Sequence, residues 1–375
     1  MQVQILPLKI MNRISKYLFY LTIFAIPFYI FRFNLVFPTT ILEVLIYLSF
    51  LVALFEKKID LSFKDKKDLF GLLFVLLSLT GVLADPNLSS ALGIWKAYFF
   101  DGYLLYLLIK AHKEDENIIN LLIYASATMS LVALMIYFFG FQTADGRLYD
   151  LDRLSPNYLA MFLIPSVLLS FYRIIYSKKY IILAPLAISA LALTLTFSRG
   201  ALIALAGGII ILIAYKFKKR ARALFVLGSV AALLLASFII FKPKGDDMGR
   251  AGSSSNIRYY IWATSLEMVK ENPLAGIGIS NYQNYFTELT KERVNYPEFI
   301  SPQALTAHNL YLHLLLTCGL PAFLILLALI YYSITKSKKP LIIVAFSGIL
   351  FYGLIDTPFF RNDLSAIFWV LIALL

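Results

Sequence analysis

The feature that most constrains this chain is a series of long apolar runs that recurs from one end to the other. A helix that crosses a bilayer needs about 20 mostly apolar residues. About 12 segments approach that length, near residues 17–34, 38–55, 69–84, 94–110, 118–140, 157–175, 180–197, 200–216, 223–241, 307–333, 340–355 and 363–375. The sequence therefore predicts an all-α polytopic membrane protein with a single transmembrane domain over residues 1–375.

Composition supports this prediction and excludes other classes. Of the 375 residues, 60% are hydrophobic and 15% are charged, whereas soluble domains are about 45–50% apolar and about 25% charged. An ordinary soluble enzyme and a disordered protein are excluded. A disulfide-stapled secreted module is excluded as well, because Cys318 is the one cysteine in the sequence.

The positions of the basic residues predict orientation. With a cytoplasmic N-terminus, most of the 34 Lys and Arg residues fall on inside segments, including the clusters at 57–67 and 216–222. Short cytoplasmic loops carry such an excess, so both termini are expected in the cytoplasm. The net charge of +12 then reflects topology, and no nucleic-acid partner is needed to explain it.

One connection is far longer than the others. Residues 242–306 form a polar external loop of about 65 residues between spans nine and ten, and loops longer than about 15 residues usually have a function. From Asn256, a candidate N-cap, an apolar stripe predicts an amphipathic helix that Asn272-Pro273 ends. The stripe consists of Ile257, Tyr260, Ile261 and Leu266.

Two histidines follow this loop, at the outer end of span ten. His308 and His313 are five residues apart, which places them about 140° apart on a helix. Zinc-binding pairs on one helix face use a spacing of four, so no metal site is predicted. His308 is a candidate acid/base group, with an interfacial helix cap as the alternative. His313 is expected to be a packed residue.

Arginines on the outer face form the second candidate group. A guanidinium matches phosphate oxygens bidentately, so Arg199 and Arg258 are candidates for binding an anionic ligand at the membrane surface. Arg147 and Arg153 are further candidates, with pairing to local acids as an equal alternative. The acids near these arginines are Asp145, Asp150, Asp152 and Glu267.

Other polar residues give weaker predictions. Lys96 and Asp101 are five apart in span four, so they are expected on different helix faces, with Asp101 paired to another helix. Asp356 and Arg361 flank the last external turn and are expected to pair. The glycines of Pro273-Leu274-Ala275-Gly276-Ile277-Gly278 predict a turn with close backbone packing.

Taken together, these motifs resemble the O-antigen ligase/polymerase superfamily of bacterial envelope glycosyltransferases. The resemblance is carried, in order, by Ser155-Pro156-Asn157-Tyr158, Ser198-Arg199-Gly200, Arg258-x-x-x-Trp262, Asn272-Pro273-Leu274-x-Gly276-x-Gly278, His308-Asn309-x-Tyr311, Gly319-Leu320-Pro321 and Asp356-Thr357-Pro358. It implies a GT-C-like architecture in the bacterial inner membrane, with an active site on the periplasmic face to which the 242–306 loop contributes.

The resemblance also implies an activity. A glycan on undecaprenyl diphosphate would be transferred to a sugar hydroxyl of lipid A–core, with inversion and without a metal or other cofactor. Arg199 and Arg258 would bind the diphosphate and His308 would be the base. Further substrate-binding candidates are Arg147, Asn157, Asn309 and Tyr311.

Two alternatives stay open. A polymerase of the same superfamily, joining repeat units on the growing glycan, would need the same diphosphate site, although the histidine motif after a long loop favours a ligase. A transporter or flippase would fit about 12 spans and a buried Asp101. The gathering of polar residues at the outer surface, and the absence of matching Gly/Pro-interrupted spans in the two halves, count against it.

Overall fold

A computed structural model describes residues 5–34, 38–149, 151–152, 155–215, 217, 254–293 and 300–375. Within these residues the chain is mostly helical. The helices are α1 (Ile5–Phe24), α2 (Ile41–Phe55), α3 (Lys66–Leu77), α4 (Leu79–Leu83), α5 (Leu88–Trp95), α6 (Asp101–His112), α7 (Asp115–Phe138), α8 (Pro156–Ser177), α9 (Leu183–Leu195), α10 (Arg199–Ala214), α11 (Ser254–Glu271), α12 (Tyr282–Lys291), α13 (Leu310–Lys336), α14 (Pro340–Tyr352) and α15 (Asn362–Leu374).

Several of these helices can cross a membrane, which makes the chain a multi-pass membrane protein. Among the described residues, four helices are long and apolar enough: Leu88–His112, Asp115–Phe138, Pro156–Ser177 and Leu310–Lys336. Shorter apolar helices stand beside them. The predicted span at 223–241 lies outside the described residues, as do 242–253 and 294–299 of the long loop. The count of about 12 spans therefore stays a prediction.

A small hairpin corrects the all-α prediction and the first predicted span. Helix α1 ends at Phe24, and a short 3-10 turn follows over Ile26–Ile30. Two antiparallel strands, β1 (Arg32–Asn34) and β2 (Pro38–Thr40), then pair Arg32 with Thr40. Pro27, within the first turn after α1, has no N–H to continue the helical hydrogen bonds, so the apolar run at 17–34 is not one helix.

The core is centred on α15, which is buried from Asp363 to Ile372. Its Trp369 packs on Gly102 of α6, where a Cβ would overlap the indole ring. Small residues at helix contacts allow such close approach within a bilayer.

A π-helical turn at Lys96–Phe100 corrects the prediction that Lys96 and Asp101 lie on different faces. In a π-turn residues five apart are aligned, and Lys96 Nζ lies 3.6 Å from Asp101 Oδ2. Lys96 also donates to Glu43 Oε2 at 2.6 Å. As predicted, Asp101 has a partner on another helix, since Tyr47 Oη of α2 donates to its Oδ1 at 2.6 Å.

Helix α11 is the amphipathic helix predicted in the long loop. It begins at Ser254, two residues before the predicted N-cap Asn256, and ends at Glu271 just before Asn272-Pro273. Ile257 and Ile261 are buried, whereas Leu266 is 56% exposed, so Leu266 does not belong to the buried stripe. Met268 takes that place and is fully buried.

The segment after α11 inserts between α4 and α13. Helix α13 is broken at Gly319, whose φ is +77°, and Leu320 N donates to Pro273 O at 3.0 Å. Ile277 N donates to Leu316 O at 2.8 Å, and Ile279 N donates to Gly81 O at 3.0 Å. Two separate sequence motifs, Pro273–Gly278 and Gly319–Pro321, are thus two sides of one backbone junction. The predicted turn with close backbone packing is confirmed.

Candidate functional site

Asp356 is the centre of a polar cluster that joins three distant parts of the chain. It lies in the turn between α14 and α15 and is 4% exposed. Its Oδ1 lies 3.2 Å from His308 Nδ1, and its Oδ2 lies 3.7 Å from a terminal nitrogen of Arg258. Asn157 Nδ2 donates to the same Oδ2 at 3.3 Å. Three of the residues predicted to form the site therefore meet at one carboxylate.

The electrostatics of Asp356 follow from these neighbours. Burial raises the pKa of the Asp356 carboxyl, but the nearby His308 and Arg258 lower it by more, and the pKa ends below its ordinary value. The backbone N–H of Thr357 acts in the same direction, donating to Oδ1 at 3.0 Å. Asp356 is therefore a carboxylate at neutral pH.

The prediction that Asp356 pairs with Arg361 is wrong. Arg361 instead makes a two-point contact with Asp363, with both nitrogen–oxygen distances at 2.7 Å. Its guanidinium also lies 4.5 Å from the ring centroid of Tyr158. Arg361 pairs with Asp363 because Asp363 is only two residues away. Asp363 is also fully buried, and an unpaired carboxylate in such a place would be costly.

His308 is held in an unusual backbone conformation. Its φ is +44°, a left-handed value that costs a non-glycine residue about 1–3 kcal/mol and occurs often at functional sites. Trp262 Nε1 donates to the carbonyls of Ala307 at 3.0 Å and His308 at 3.4 Å. On the other side, Ala307 N donates to His313 Nδ1 at 3.3 Å. His313 is thus the packed residue predicted, and it positions the loop that carries His308.

The spacing of Arg258 and Trp262 now has a physical reason. Four residues apart on α11, they share one face of the helix. Arg258 reaches the last external turn, where Nε donates to Ile355 O at 3.1 Å, while Trp262 reaches the loop of His308. One helix therefore fixes the carboxylate turn and the histidine loop relative to each other.

A second part of the site surrounds Asn157, at the start of α8. Ser198 Oγ donates to Asn157 Oδ1 at 3.0 Å and lies 2.6 Å from Tyr352 Oη. Arg147 approaches the same Oδ1 at 3.5 Å and donates from Nε to Thr196 O at 2.8 Å. Asp145 lies 3.9 Å from Arg147, as the alternative of pairing with a local acid predicts, and substrate binding by Arg147 stays a prediction.

Arg199 is the first residue of α10 and is exposed. The preceding Phe197 has a φ of +46°, so the turn that presents Ser198 and Arg199 is also strained. Gly200 admits the close approach of Tyr352, whose ring would lie 2.8 Å from a Cβ there. The N-terminus of α10 favours anions, because its N–H groups point outward.

Two weaker candidates have structural hydrogen bonds. Asn309 caps α13, accepting from Leu312 N at 3.0 Å, and donates to Leu354 O at 2.9 Å. Tyr311 Oη donates to Leu350 O at 2.9 Å. These contacts favour a role in holding the site together, and a substrate-binding role stays a prediction. Arg153 lies outside the described residues.

Chemically, the cluster combines an imidazole, a carboxylate and a guanidinium, which are groups that can take up a proton and bind an anion. A neutral imidazole that donates from Nδ1 to Asp356 has its lone pair on Nε2, and the His308 side chain is 26% exposed. The adjacent arginines and helix terminus can stabilise negative charge.

Comparison with known proteins bears on this cluster. Residues 184–327 match the family model described as O-antigen ligase. This range contains Arg199, Arg258 and His308, whereas Arg147, Asn157 and Asp356 lie outside it. The resemblance found from the motifs is thereby confirmed. No match was found among curated protein sequences.

Proposed function

We propose that this chain, whose residues 184–327 match the family model described as O-antigen ligase, is a glycosyltransferase that uses a glycan on undecaprenyl diphosphate. The transfer would take place on the periplasmic face of the bacterial inner membrane. The observation that carries the proposal is the convergence of His308, Arg258 and Asn157 on the buried Asp356.

In this proposal His308 is the general base. The acceptor hydroxyl oxygen forms a bond to the anomeric carbon while the bond from that carbon to the diphosphate oxygen breaks. The hydroxyl proton goes to His308 Nε2, and the bonding electrons leave with undecaprenyl diphosphate. Asp356 holds the imidazole through Nδ1 and stabilises the imidazolium. A single displacement of this kind inverts the anomeric carbon.

Arg199 and Arg258 are proposed to bind the diphosphate. Negative charge grows on the leaving oxygen, and preorganised guanidinium groups stabilise such charge where water is excluded. The carboxylate of Asp356 already accepts hydrogen bonds from His308, Asn157 and Thr357, so we do not expect it to bind a metal ion. Because arginine supplies the positive charge, we expect full transfer activity in the presence of EDTA, measured with purified protein and lipid-linked donor. Strong inhibition that Mg²⁺ reverses would contradict the arginine-only account.

Within the superfamily we favour a ligase with lipid A–core as acceptor, and the alternative is a polymerase that extends the glycan on its carrier. The two share the donor site and differ in the acceptor. Product analysis of purified protein with and without lipid A–core separates them. Glycan on lipid A–core supports the ligase, whereas longer chains on the carrier without lipid A–core identify a polymerase.

A further inference from the structure

A cavity of about 800 Å³ lies beside the Asp356 cluster, and no step of the proposed transfer uses it. Its walls come from the hairpin, the start of α2, helix α5 with the π-turn, and the start of α15. Tyr158 and Arg361 also line it. They belong to the segments that carry Asn157 and Asp356, so the cavity and the cluster share two stretches of backbone.

Charge on the cavity wall is already compensated. Each of the three lining cations lies close to a carboxylate: Arg32 is 3.0 Å from Asp152, Lys96 is 2.6 Å from Glu43, and Arg361 is 2.7 Å from Asp363. Glu43 also accepts from Asn362 at 3.0 Å. A charged ligand would have to compete with these pairs, which favours an uncharged one.

Aromatic rings and hydroxyl groups also line the cavity. Trp95, Tyr98, Tyr158 and Phe360 line the cavity, and Tyr98 and Phe360 meet edge to face with centroids 6.3 Å apart. The hydroxyls of Tyr98, Ser89 and Ser90 make no hydrogen bond within the described part of the chain. A few polar groups among aromatic walls, in a cavity of about 300–1,000 Å³, are typical of a small-molecule site.

We propose that this cavity binds an uncharged sugar residue of a glycan substrate. Its rings would lie against the apolar faces of the sugar, and the three hydroxyls would bond to sugar hydroxyls. The source of the sugar rests on the proposed function, and is either the acceptor core or the donor glycan. Binding itself does not require transfer.

The test is glycan binding by the full chain in nanodiscs, followed by saturation-transfer NMR. The probes are deacylated core oligosaccharide of lipopolysaccharide and glycan released from undecaprenyl diphosphate. Gly93 lines the cavity, and a Cβ there would meet no atom within 4 Å. Gly93→Phe should weaken binding at least ten-fold by filling the cavity. Leu88→Phe, at an exposed position of the same helix outside the cavity, is the matched control.

Tyr98→Phe removes one hydroxyl and should weaken binding by about 2- to 10-fold. If these variants lose binding of the core oligosaccharide alone, the bound sugar belongs to the acceptor. If they lose binding of the carrier glycan alone, it belongs to the donor. Either result supports the proposal. Absence of binding, unchanged binding by Gly93→Phe, or displacement of the glycan by inorganic phosphate overturns it. Wild-type protein that binds glycan but transfers none would contradict the proposed function and leave the cavity proposal standing.

Discussion

At the scale of single residues, Asp356 decides how the site works. It is a buried carboxylate that contacts Arg258 and His308, and in the proposed mechanism it orients His308 so that Nε2 is left for the acceptor. Polarity on an outer face made His308 and Arg258 predictable from sequence. The role of Asp356 was not, because the nearest cation in sequence is Arg361, while its actual partners are 48 and 98 residues away. Contacts between residues so far apart in sequence produce no local spacing pattern from which they could be predicted.

His308→Ala should reduce transfer by at least ~100-fold, because general-base catalysis contributes about 10²–10⁴-fold. Membrane insertion of the variant and its elution volume in size-exclusion chromatography should be unchanged. The rate is measured as release of undecaprenyl diphosphate by purified protein. His112→Ala, at the end of α6 on the predicted cytoplasmic side, is the control and should stay within a few-fold of wild type. A rate for His308→Ala within a few-fold of wild type would remove His308 from the mechanism.

Asp356→Asn should change how stability depends on pH. The folded pKa of Asp356 lies below its ordinary value, so its contribution to stability is present above the unfolded pKa of about 3.9 and is lost below that pH, as the pH falls through the lower folded pKa. The difference in melting temperature between wild type and Asp356→Asn should therefore be largest at pH 7 and shrink as the pH is lowered from about 4.5 to about 2.5. A difference that stays constant over this range would show that the carboxylate charge is not what stabilises the cluster.

At the scale of elements, two helices depart from regular α-helical geometry. The π-turn at Lys96–Phe100 aligns Lys96 with Asp101, and the break at Gly319 admits the backbone of Pro273–Ile277. The lengths of the apolar runs predicted most of the helices, and the spacing rules for a helix of 3.6 residues per turn predicted the apolar stripe of α11. They failed at Lys96 and Asp101, because a π-turn has no reliable sequence signature. The glycines around 276 and 319 did signal close packing, although not that the two motifs contact each other.

Gly319→Ala tests the junction between these motifs. A Cβ at Gly319 would overlap the carbonyl of Leu274, in addition to the cost of a positive φ. Gly140 also has a positive φ, +90°, but open space around it, so Gly140→Ala carries the cost of a positive φ, about 1–2 kcal/mol, without the overlap. Gly319→Ala should lower the melting temperature and the transfer rate more than Gly140→Ala does. Equal effects of the two substitutions would show that the junction does not support the site.

At the scale of the whole molecule, the cavity lined by Tyr158 and Arg361 lies beside the Asp356 cluster, and the predicted topology puts both on the periplasmic face. The apolar runs made a multi-pass helical fold predictable, and the excess of Lys and Arg on alternate loops predicted which loops are cytoplasmic. The short hairpin was not predicted, because residues 26–34 are as apolar and aromatic as a span. The conformation of residues 26–34 is determined by the residues around Pro27 and by the strand pairing, and not by hydropathy.

Cysteine labelling tests this orientation. Cys318 is fully buried, and Cys318→Ala gives a background without thiols. On that background, Ala144→Cys in the exposed loop after α7 should react with an impermeant maleimide in intact spheroplasts. Lys338→Cys, between α13 and α14, should react only after the spheroplasts have been permeabilised. The opposite pattern would place the Asp356 cluster on the cytoplasmic side.

The most direct test of the central claim is a reconstituted transfer reaction with purified protein, lipid-linked glycan and lipid A–core, in which undecaprenyl diphosphate and product are measured together. We expect wild-type protein to release one undecaprenyl diphosphate for each glycan transferred, and His308→Ala and Arg258→Ala proteins to release almost none while remaining folded. Full release by both variants, or no consumption of the lipid-linked donor by wild type, would contradict the assignment of this cluster as a glycosyltransferase site.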